Sequence, residues 1–102
     1  MALGRRRFHD LVERQLELFL SENGALVRDC EAALRAYDAA ERGEAEERYG
    51  EFLDLVETGQ DELVDIRETY ARTLDESVAD EYRDAFDRLV RKRLPRFRLE
   101  RE

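Results

Sequence analysis

The chain has a single cysteine, Cys30, so no intrachain disulfide can form and nothing calls for an oxidising compartment. One proline, Pro95, and five glycines leave long stretches without a helix breaker. Long apolar runs are also missing. The longest is three residues, as at Leu18-Phe19-Leu20, against roughly 20 for a bilayer span and about 7–15 for the apolar part of a secretory signal. No membrane partner is expected, and the cytoplasm is the expected location. The sequence carries no Gly-rich phosphate loop, nucleophile elbow or cysteine–histidine metal motif. It therefore argues for no enzyme and no cofactor, and it names no specific role.

What is present is charge arranged with helical period. Charged residues make up 43% of the 102 and hydrophobic ones 42%, enough apolar surface for one folded domain rather than a disordered chain. The charge is uneven. Residues 44–87 carry four arginines against sixteen acids, whereas residues 88–102 carry six arginines and Lys92 against two glutamates. Most of the surface would repel phosphate, which disfavours a general nucleic-acid partner.

The stretch from Ala45 to Tyr70 organises the rest. Its apolar residues Ala45, Tyr49, Phe52, Leu53, Val56, Leu63, Ile66 and Tyr70 fall in steps of three, four and seven, one stripe of an amphipathic helix. Upstream, Phe8, Leu11/Val12, Gln15/Leu16, Phe19, Leu26, Cys30, Ala33/Leu34, Tyr37 and Ala40 continue one stripe across Asn23-Gly24 without losing phase. That continuity predicts one long helix, roughly 6–41, kinked at Gly24; two helices broken there is the alternative. Arg42-Gly43-Glu44 is a short turn, with Gly43 suited to a left-handed C-cap, so the flanking helices become antiparallel neighbours. Counting outward from Gly43 sets Tyr37 opposite Tyr49, Leu34 opposite Phe52, Cys30 opposite Val56 and Phe19 opposite Ile66/Arg67. Thr73 and Glu76 make a capping box for a third helix from about Asp75 to Leu94, closed by Pro95. Phe97 and Leu99 in the tail either dock or stay loose.

At about 1.5 Å per residue the first helix spans roughly 50 Å and the third about 30 Å, so the third covers only part of the hairpin. The uncovered tip half would expose Leu26, Cys30, Leu34, Tyr37, Tyr49, Phe52, Leu53 and Val56, a set that predicts a homodimer interface. The expected fold is all-α: a long antiparallel helical hairpin plus a shorter third helix, completed to a four-helix-type, coiled-coil-like bundle by dimerisation. Residues 1–94 form one domain and 95–102 a basic tail.

Other candidates have a plainer reading beside the functional one. His9 and Glu13, four apart on one face, could hold a metal, but with no further donors a surface pair is favoured. Glu47, Glu51, Asp54, Glu57, Asp61 and Glu62 lie off the apolar stripe and read as a solvated face rather than a di-metal carboxylate site. Cys30 sits on the stripe as a packing thiol. Asn23 and Gln60, each beside a glycine, could form a buried polar layer fixing register, or open a small pocket. The basic clusters at Arg5–Arg7 and Arg88–Arg98 suit pairing with the acidic middle helix better than nucleic acid. The leading expectation is a non-enzymatic interaction module that homodimerises and takes a protein partner. A metal- or small-ligand-binding bundle is the alternative, and nucleic-acid association through the Arg-rich termini a weaker third.

Overall fold

The computed structural model describes residues 7–100. They form four α-helices and a 3-10 turn, with no strand among them. Helix α1 runs His9–Glu22, α2 Gly24–Ala39, α3 Ala45–Ala71 and α4 Glu76–Arg93, and the 3-10 turn is Pro95–Phe97. No helix among the described residues is long and apolar enough to cross a membrane. Helices α1 and α2 together lie antiparallel to α3, and α4 returns along the half of that hairpin distant from the 41–44 turn. The result is elongated, 51 × 28 × 24 Å.

The expected single first helix is two helices meeting at Asn23. The interruption is one residue wide (φ −119°, ψ 30°) and the backbone ladder survives it: Asn23 N–H donates to the Phe19 carbonyl and Val27 N–H to the Asn23 carbonyl. The Asn23 side-chain amide also donates to the Phe19 carbonyl, at 3.0 Å. A short polar side chain that competes for a backbone acceptor is what loosens a helix at one point without reversing the chain. Phase therefore carries through, and the hairpin keeps its length.

Two further expectations about helix ends need correction. No glycine among the described residues has positive φ, so Gly43 is not a left-handed cap. Helix α2 stops instead as Ala40 turns extended (ψ 144°), and the chain reverses through Glu44 and Ala45 N–H groups donating to the Glu41 carbonyl. The Thr73–Glu76 capping box is not made either. Asp75 is the N-cap residue of α4, and the Thr73 hydroxyl donates back to the Tyr70 carbonyl at 2.7 Å, closing α3. In each place a nearby carbonyl was taken first, that of Glu41 within the turn and that of Tyr70 in the last turn of α3.

The core sits in the base, where three helices meet. Phe8, Val12, Leu16 and Phe19 of the α1 face, Leu63 and Ala71 of α3, and Tyr82, Phe86, Leu89 and Val90 of α4 are buried together. Phe8 packs edge-on against Tyr82 (5.5 Å, 78°), which also meets Tyr70 and Phe86. The segment after Pro95 docks. Phe97 and Leu99 are buried, and Phe97 meets Phe19 edge-on at 5.8 Å. Gly59 makes room for this ring: a Cβ there would lie 2.6 Å from the Phe97 Cδ1 atom. A helical glycine with ordinary φ is here a matter of clearance, not of backbone freedom.

Candidate functional site

Cover along α3 fails stepwise toward the tip. Residues seven apart share one helical face. Along one such row Leu63 is 0% exposed, Val56 8% and Tyr49 44%. Along the next, Arg67 is buried against α4, Gln60 donates to the Arg98 carbonyl of the docked tail at 2.9 Å, and Leu53 stands 44% exposed. One continuous apolar stripe is thus sealed by α4 at the base, by the tail in the middle, and left open at the tip. On the facing helix Cys30 is buried, whereas Leu34 and Tyr37 beyond it are only half-buried. No residue from 31 to 55 is buried.

Of the eight residues expected at the interface, Tyr49 and Leu53 are exposed and Leu26, Leu34, Tyr37 and Phe52 half-buried. Cys30 and Val56 are a correction: both are buried within the chain, Cys30 with Arg96 of the tail nearby, and have little surface to offer. Burial pushes the Cys30 thiol above its usual pKa, with nearby Arg96 acting weakly in the opposite sense. It is a packing thiol held protonated. Tyr37 meets Tyr49 at 5.0 Å and Tyr49 meets Phe52 at 6.2 Å, an aromatic row along the tip.

Acids frame this face. Glu31 lies four residues after Val27 and three before Leu34, and Asp38 four after Leu34. Glu46 lies three before Tyr49, and Glu57 four after Leu53. All four are exposed. Where the cover ends the sign changes: Arg91, Lys92, Arg96 and Arg98 are exposed around the end of α4 and the tail. The tip face therefore runs from an acidic frame to a basic collar.

The base holds its charges differently. Arg67 and Asp87 form a buried ion pair at 2.7 Å, and Arg67 also reaches Glu68 at 2.9 Å. Arg83 grips Glu68 through both carboxylate oxygens. The Arg83 hydrogen bonds, with those of Arg67 behind them, lower the Glu68 carboxyl below its ordinary pKa against the opposing effect of burial. Tyr82, fully buried, donates to Gln15 Oε1 at 2.8 Å, and burial pushes its phenol up to about 12. These are structural linkages between helices. Sequence periodicity missed the Arg67–Asp87 pair because it follows apolar stripes: it sets Arg67 opposite Phe19 with no partner for its charge, and nothing local singles out Asp87.

The remaining candidates are kept apart. Asn23 and Gln60 do not form a shared polar layer: Asn23 bonds within its own helix and Gln60 bonds the tail. The Glu13 carboxylate takes the Arg93 guanidinium at 2.7 Å, a partner from α4 that the His9–Glu13 spacing did not suggest. Among the described residues no cluster of three or more donor side chains could hold a metal ion. A groove that the sequence did not suggest, of about 600 Å³, opens between α1 and α3. Its walls include Leu18, Ile66 and Tyr70, and Leu18 is 57% exposed there. The signal existed in Leu18, a large apolar residue that falls off the predicted stripe.

Comparison with protein-family models, with curated proteins and with solved structures finds no match.

Proposed function

We propose that this chain is a helical interaction module that self-associates through the open face of its hairpin tip, two copies completing a four-helix layer. The observation that carries the reading is the rise in exposure along one stripe, from Leu63 to Val56 to Tyr49, where the intramolecular cover ends. A stripe that a third helix and a tail seal elsewhere asks for another helical pair at the tip. Self-association supplies that pair by symmetry, since the same patch meets itself.

Molar mass by size exclusion with light scattering, over a dilution series, is the test. Twice the chain mass is expected at micromolar concentration. Tyr49→Glu and Leu53→Glu should each halve it while leaving the helical circular dichroism unchanged, because both side chains are already partly in water. A wild-type monomer throughout, or a dimer indifferent to both substitutions, would remove the reading. A small-ligand role has one observation in its favour, the α1–α3 groove. An apolar dye that binds there should lose its fluorescence on Leu18→Glu and keep it on Tyr49→Glu.

A further inference from the structure

The tip face has an order of charge along it, and self-association through that face, on which this inference rests, must place those charges against something. Its frame is mainly acidic on both helices, through Glu31 and Asp38 of α2 and Glu46 and Glu57 of α3, the flanking cation Arg48 being paired with Glu51. Laid frame against frame, two copies would bring like charges together around a patch being dried, which is destabilising. The relief lies at the other end of the same face. Residues 88–98 contain five arginines, Lys92 and no acid; Arg93 is taken by Glu13 and Arg98 reaches Glu100 at 3.3 Å, and Arg91, Lys92 and Arg96 are exposed beside them. Arg96 and Arg98 are exposed where the tail crosses the hairpin, and Arg96 is near enough to Cys30 to act on its thiol.

We propose that two copies pack antiparallel, the acidic frame of each tip lying against the basic collar of the other. A two-fold axis makes each acid–base pairing occur twice, so one favourable contact serves both ends. The lengths agree. Helix α4 has 18 residues, about 27 Å, against a 51 Å long axis, which leaves roughly 24 Å for the tail-crossed middle and the open tip together. A partner's tip laid alongside the open face meets the collar within that span. The arrangement also answers what the collar does in the monomer, where its cations border an apolar face instead of covering it. The charges set orientation and the apolar face supplies the adhesion.

Sedimentation equilibrium of the full chain decides this, with salt and charge reversal as the two levers. The dimer should weaken about tenfold between about 50 mM and 500 mM sodium chloride, as exposed cross-copy pairs are screened. Arg96→Glu with Arg98→Glu should weaken it at low salt by a similar factor, and adding Asp38→Arg with Glu46→Arg should restore it. A wild-type dimer that salt leaves unchanged or tightens overturns the arrangement, and that result needs no variant to fold. Reversal without effect, in a protein that Tyr49→Glu does make monomeric, overturns the arrangement but leaves tip association standing. Indifference to Tyr49→Glu overturns both.

Discussion

Base and tip share α3, set against α1 in one and α2 in the other, and come out as different materials. In the base α1 and α3 meet a third helix, so their stripes are sealed and even a charge, Arg67, is buried against Asp87. In the tip α2 and α3 have only each other. Two helices in contact along one line leave each apolar stripe about half in water, and no residue between 31 and 55 is buried. The difference shows that amphipathic period sets where a helix could be covered, while the number of neighbours sets whether it is.

That contrast makes opposite demands on substitutions in the two halves. The largest expected effect is in the base. Asp87→Ala leaves the Arg67 guanidinium buried with only Glu68 beside it, and should cost about 3–5 kcal/mol in urea unfolding. Replacing both partners, Arg67→Met with Asp87→Leu, should cost clearly less than Asp87→Ala alone, because no buried charge is then left uncompensated. A small loss from the single substitution would show that the base is looser than its packing implies.

The next effect is on the pH profile of thermal unfolding. Tyr82 titrates at about 12 folded against about 10 unfolded, so its contribution is complete below pH 10. It should disappear as pH rises toward 12, a loss of roughly 2–3 kcal/mol at 1.36 kcal/mol per unit. Glu68 works at the other limb. Its lowered carboxyl stabilises the fold above the ordinary carboxylate range, and that contribution fades as pH falls through its folded value. Tyr82→Phe should flatten the alkaline limb only; an unchanged limb would mean that other groups govern it.

Two glycines of α3 give the comparison in miniature. Gly59→Ala would drive a methyl into the Phe97 ring, undocking the tail and destabilising by about 1–2 kcal/mol despite better helix propensity. Gly50→Ala meets nothing within 4 Å and should stabilise by about 0.5–1 kcal/mol. Matched melting curves read both at once. Equal signs at the two positions would deny that tip and base differ in packing.

How much of this was legible beforehand follows the same division. The helices, their antiparallel pairing and the Tyr37–Tyr49 contact were readable because side chains at helical spacing report a face directly. The tail's docking onto Gly59 was not, since a glycine in a helix looks the same whether it is tolerated or required. The proposed tip surface was readable as a stripe and wrong in two members. Cys30 and Val56 carry no mark telling them apart from Leu34 and Tyr49, and only where the intramolecular cover stops separates them.

The sequence by itself determined the all-helical class, the hairpin and the segregation of acid from base, because each is a property of neighbours in the chain. Only the tertiary structure decided that Arg67 and Asp87 become partners, that the tail docks against Gly59, and where the cover over the stripe stops. Those depend on residues 20 to 80 positions apart meeting at a few ångströms, and no local pattern encodes which of several equivalent faces a distant segment will reach.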